Sequence, residues 1–207
     1  MVNDLADGYF YYNGVYGYGH SLNGGNYRYG GINVCTAHAC YTLAMGKILG
    51  CDMRNKIDVL MAKSLERLAP DGALDYSWGA VRKGETPSKR NEDQCRTGIA
   101  SMAYYYLGGR PEQYQKFLTY LMKNKEHADG GHATGGTLSW ASSGLALAMA
   151  DDASFEKYMQ SKVWQLALNR TWNYSYFLQP SPHGQHRGSD QSLGGHYISA
   201  ANTILFN

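Results

Sequence analysis

A chain of 207 residues is long enough to bury a substantial single core, and a net charge of +2 points to no strongly charged partner. It has no block of Lys or Arg, and no apolar run approaches the roughly 18 residues of a membrane span, so neither nucleic acid nor a membrane is an expected partner. The composition departs from the ordinary in its 25 glycines and 18 tyrosines, many of them adjacent, which supply loops with positive φ and flat amphipathic contact surface.

In chain order, residues 1 to 34 form a Gly/Tyr/Asn segment expected to be irregular with short strand-like pieces. The opening Met1-Val2-Asn3-Asp4 carries neither the basic nor the apolar part of an export signal. Cys35 to Leu49 reads as a helix whose only charge is Lys47, ended by Gly50, and a helix apolar nearly all round is expected to be buried on both sides. Asn55 to Leu68 places Ile57, Leu60, Met61, Leu65 and Leu68 on one face, and Pro70-Asp71-Gly72 stops it. After a loop with Tyr76 and Trp78 comes a nearly uncharged run, Gln94 to Leu107, closed by Gly108-Gly109. Pro111 opens an amphipathic helix with Tyr114, Phe117, Leu118, Leu121 and Met122 on one face. The loop Lys125 to Gly136 leads to a second uncharged helix, Thr137 to Ala150. An amphipathic helix, Asp152 to Leu168, follows with Phe155, Tyr158, Met159, Val163 and Leu166. A Tyr/Trp/His loop, Asn169 to Ser189, precedes the last apolar helix, Gln191 to Phe206. The four cysteines, Cys35, Cys40, Cys51 and Cys95, have no metal-ribbon or small-domain disulfide spacing and are expected as buried free thiols.

One stretch occurs twice. Asp93-Gln94, Gly98 and Ala103 superpose on Asp190-Gln191, Gly195 and Ala200. An acidic residue at a helix start caps free N–H groups and suits the positive end of the dipole, so both copies read as helices with anchored beginnings. The alternation of uncharged and amphipathic helices predicts an all-α fold in one domain, an inner layer covered by an outer one. Connections after inner helices are short, whereas those before them are long and rich in Gly and aromatic residues. If outer helices run antiparallel to inner ones, the long loops share one mouth, where binding and catalysis are expected.

Together the hairpin period, the repeated Asp-Gly turns (Asp7-Gly8, Asp71-Gly72, Asp129-Gly130) and the Gly-rich loops make the chain resemble the α/α-toroid superfamily of terpenoid cyclases and protein prenyltransferases, in an uncharacterised bacterial branch. The resemblance implies an arc of helical hairpins. With fewer hairpins than a complete ring, the arc is incomplete, or the chain is part of a longer protein. Prenyltransferases of this superfamily hold zinc with an Asp-x-Cys pair and a His, and Asp93, Cys95 and His196 are similar in type. The family's His follows its Cys by one hairpin, whereas His196 follows by two, and Ser192 stands where the second copy would need a cysteine. A purely structural role for the Asp-Gln pair is the competing expectation, and no cofactor is expected.

All but one of the seven histidines fall in or beside the loops before inner helices. His132 and His196, with Asp93 and Asp190, are the expected proton-transfer groups. His20, His38, Tyr76, Trp78, His186 and Trp172 are the expected substrate contacts. Aromatic faces with nearby polar groups suit a carbohydrate or a peptide. No serine nucleophile elbow, HExxH or phosphate loop is present. Three functions follow as expectations: a hydrolase- or lyase-type enzyme at the mouth, a non-catalytic ligand- or partner-binding domain, or a zinc-dependent prenyltransferase-like site.

Overall fold

The computed structural model describes residues 10–12, 15–17, 33–52, 65, 72–74, 93–108, 111–127, 136–169 and 200. Most of these residues are helical; one small hairpin and a bridge residue, Leu74, are extended. Five α-helices run Asn33–Ile48 (α1), Asp93–Leu107 (α2), Pro111–Lys123 (α3), Gly136–Ala150 (α4) and Asp152–Asn169 (α5), with a 3-10 turn at Lys125–His127. Strands β1 (Phe10–Tyr12) and β2 (Val15–Gly17) pair antiparallel, with Tyr11 opposite Tyr16. Only Asn13-Gly14 separates them, a dipeptide that favours two-residue hairpin turns. The expected helix around Asn55–Leu68 is described at Leu65, which is helical and fully buried; the last expected helix is described at Ala200, which is helical and exposed.

Helix ends follow local chemistry. At the end of α1, Gly50 takes φ 77° while its N–H reaches the Lys47 carbonyl at 3.0 Å and the Cys51 N–H reaches that of Gly46 at 2.9 Å. That is the double bond of a Schellman cap, which needs a left-handed residue where Gly pays no Cβ penalty. Gly108 ends α2 with φ 65° and a single bond to the Tyr104 carbonyl at 3.0 Å. Asp151 alone links α4 to α5: its N–H closes the last turn of α4 on Leu147, and its carboxylate accepts the Ser154 N–H at 2.7 Å to cap α5.

The chain divides into two compact units, Met1–Lys89 with Ile99–Phe117, and Arg90–Gly98 with Leu118–Asn207. In the first, β2 lies against α1 and the core gathers Ala37, Cys40, Leu43, Ala44, Leu65 and Leu74. Contrary to the expectation of burial on both sides, α1 exposes His38 and Thr42 on one side and Lys47 and Ile48 at its end. In the second unit α4 packs along α5, and Trp140, Leu147, Tyr158 and Leu166 are buried. The inward face of α5 departs from expectation. Val163 is 62 % exposed, while Lys162, which continues the four-residue spacing of Tyr158 and Leu166, is buried. Lys162 has a partner, as a buried ammonium requires.

Candidate functional site

The best-defined polar constellation lies in the second unit, where the first copy of the repeated stretch begins α2. Asp93 is the first helical residue, and the next five are all buried. The Gln94 side-chain amide donates to the Asn124 carbonyl at 2.9 Å, and its oxygen accepts from the Ser143 hydroxyl at 3.1 Å. One carbonyl and one hydroxyl partner settle which end of the amide is nitrogen. Asn124 is fixed in turn, since its side chain donates to the Tyr120 carbonyl at 2.9 Å. One turn beyond Gln94, Gly98 meets the backbone of α4 so closely that an added Cβ would stand 2.7 Å from the Ser142 carbonyl carbon and 2.9 Å from the Ser143 nitrogen.

This crossing falls in the second turn of both helices. At 1.5 Å per residue, the helices begin roughly 7–11 Å along their own axes from it. Gln94 and Gly98, two of the positions that recur in the second copy, are thus a bridge and a close approach. The expected structural role for the Asp-Gln pair has a physical basis here. Arg96, 1 % exposed, was not singled out from the sequence. A guanidinium stays charged and tolerates such burial only when engaged, and Arg96 has a partner. An arginine inside a helix with no other charge after Asp93 was the available signal.

In the first unit His38 is exposed on α1. Its Nδ1 lies 2.8 Å from the Val34 carbonyl, which only accepts, so in the neutral ring Nδ1 carries the proton and Nε2 is the basic atom. Along the same helix Tyr41 meets Tyr106 at 6.0 Å, and Tyr106, Tyr105 and Tyr114 continue the aromatic contacts at 5.4 and 6.2 Å. This tyrosine set was missed because its members fall on three helices with no common period. Burial, then the neighbouring Tyr106, raises the Tyr41 pKa. Burial, then Cys40, raises that of Tyr104, so both stay neutral donors at physiological pH. Burial likewise pushes up the half-buried Cys35 thiol, against a smaller backbone hydrogen-bond effect, which makes it a poor nucleophile. Cys40 and Cys95 are buried free thiols as expected, whereas Cys51, next to the α1 cap, is exposed.

Of the remaining expected site residues, His20, Tyr76, Trp78, His132, Trp172, His186, Asp190 and His196 lie outside the described residues, as does the Asp93 side chain. Of the Asp93, Cys95 and His196 set, Cys95 is described; it is fully buried in α2 and has a partner. Among the described residues no three His, Cys, Asp or Glu side chains converge to hold a metal. Likewise, no helix there is long and apolar enough to cross a membrane.

No curated protein and no solved structure shows significant similarity to the chain. Residues 2–204, nearly its whole length, match the model of the family described as a domain of unknown function, DUF6288, and the chain belongs to that family.

Proposed function

We propose that the protein is a hydrolase- or lyase-type enzyme acting on a carbohydrate or a peptide at the N-terminal ends of its inner helices, within an α/α-toroid-like arc of hairpins. His132 and His196 transfer protons there, oriented by Asp93 and Asp190. The crossing of α2 on α4 carries this proposal. It holds the beginnings of two helices, each entered by a long Gly-rich stretch, to one rigid point through Gln94, Ser143 and Gly98. Chain ends of the opposite kind are closed tightly: Gly50 and Gly108 cap α1 and α2, and one residue joins α4 to α5. Room for a ligand is therefore sought at the helix starts, where free N–H groups and a positive dipole end favour developing negative charge.

The test is turnover of a panel of oligosaccharides and peptides by the purified protein, with His132→Ala and His196→Ala in parallel. Loss of a general acid or base should lower turnover by about 100-fold or more without changing the helical circular dichroism. Saturable binding with no turnover would instead support the non-catalytic binding domain, which the wholly structural use of Gln94 also suits. Zinc at one equivalent per chain in elemental analysis, removed by Cys95→Ser, would replace both with the prenyltransferase-like site.

A further inference from the structure

Trp140, in the second turn of α4, is 4 % exposed, and its indole Nε1 is buried with no hydrogen-bond acceptor among the described residues. Buried indole N–H groups ordinarily find a partner, because leaving one unmade forfeits the hydration it had in the unfolded chain. Its main chain is well anchored, since the Tyr158 hydroxyl donates to the Trp140 carbonyl at 3.1 Å. Long helical side chains lean back over the turn that precedes them, which for Trp140 is the first turn of α4. That turn, starting at Gly136, has no acidic residue, and the whole of α4 has no charged one. The outer helices differ: Glu112 stands in the first turn of α3, and Asp151 and Asp152 serve the start of α5.

We infer that the first turn of α4 and the Trp140 indole together form a subsite for a carboxylate, resting on the proposal that substrate meets the inner helix starts. An indole N–H donates and does not accept, and so do the first N–H groups of a helix. A group that only accepts, with a single negative charge, matches them. Phosphate carries more charge and would call for a Lys or Arg, which α4 lacks. The carboxylate belongs either to an acidic sugar or to a peptide.

The experiment follows the Trp140 indole cross-peak in an ¹⁵N–¹H spectrum of the full chain, identified by its loss in Trp140→Phe. Glucuronate, N-acetylalanine, the methyl ester of each and inorganic phosphate are titrated in turn. A saturable downfield shift with one or both acids, absent with the esters, is the expected result, and the acid that binds tighter identifies the source. Trp140→Phe should bind that acid about tenfold more weakly or worse. If that variant does not fold, the cross-peak is identified instead as the one that survives Trp78→Phe, Trp164→Phe and Trp172→Phe made singly, and its shift in the wild-type chain still decides. A peak unmoved by every probe, moved equally by the esters, or saturated at lower concentration by phosphate than by either acid overturns the subsite. Turnover of the glycan or peptide panel without a shift removes the subsite and leaves the enzyme. A shift without turnover does the reverse.

Discussion

Helix α4 is held on two sides within one unit by different means. Against the first turns of α2 the contact is between backbones, made possible by Gly98 and locked by the Gln94–Ser143 bond. Against α5 it is made through side chains, with the Tyr158 hydroxyl on the Trp140 backbone carbonyl and a single capping residue, Asp151, setting the turn. A backbone contact fixes the position of two helix starts because nothing between them can rotate away. A side-chain contact can adjust its rotamers and tolerates change better. The rigid contact lies near the proposed site, so substitutions should cost more on that side than on the adaptable one.

Gly98→Ala should have the largest effect. Its Cβ would meet backbone atoms, which cannot swing aside, at 2.7 Å. Overpacking of this kind costs about 1–3 kcal/mol, and the helix-propensity advantage of Ala over Gly returns at most about 1 kcal/mol. Thermal melting should show a fall of about 2–4 °C for each kcal/mol lost, and Gly98→Leu should fall further. A Gly98→Ala protein that melts at or above the wild-type temperature would show that the helices are free to separate there.

Gln94→Ala comes next. It leaves the Asn124 carbonyl without the Gln94 donor and the Ser143 hydroxyl with only the longer bond to the residue-94 backbone carbonyl at 3.4 Å, at about 1–3 kcal/mol. A double-mutant cycle with Ser143→Ala in urea unfolding should return a coupling of at least about 0.5 kcal/mol. Additive effects would reduce the bridge to a coincidence of packing.

The helical class and the limits of the helices were legible in the sequence. The expected Cys35–Leu49 and Thr137–Ala150 correspond to Asn33–Ile48 and Gly136–Ala150, because Gly50 and Asp151 are punctuation that acts locally. The repeat was legible as well, though not its purpose: a recurring glycine announces a close approach without naming what approaches. One face was misjudged. Val163 was counted with the apolar residues of its helix, yet the phase set by Tyr158 and Leu166 turns Lys162 inward and leaves Val163 exposed. Arg96 was passed over although buried, since burial of a charge depends on partners distant in sequence. The candidate site was the least legible part. Its histidines and aromatic residues stand in Gly-rich stretches with no period from which to infer their placement.

On the adaptable side, Tyr158→Phe keeps the ring and removes one bond to a carbonyl that also belongs to α4. The expected loss is about 0.5–1.5 kcal/mol, smaller than at Gly98 or Gln94, measured by urea unfolding. A loss larger than that of Gly98→Ala would reverse the ranking of the two sides.

The smallest effect belongs to Asp151, and pH resolves it. The Ser154 backbone N–H, then that residue's side chain, holds the Asp151 carboxylate below its ordinary range, with desolvation acting the other way and the Ala153 N–H adding a little. A carboxyl whose pKa is lower in the folded protein than in the unfolded chain stabilises the fold fully above its unfolded value, near 3.9. That stability is lost as pH falls through the folded value, when the proton displaces the Ser154 N–H. Asp151→Asn retains a capping oxygen but no charge at the start of α5. Its melting temperature should therefore sit slightly below wild type at pH 7 and converge with it as the pH drops below the ordinary carboxylate range. A gap that persists unchanged into acid would mean that it does not arise from the charge of Asp151 but from how well each side chain accepts the Ser154 N–H.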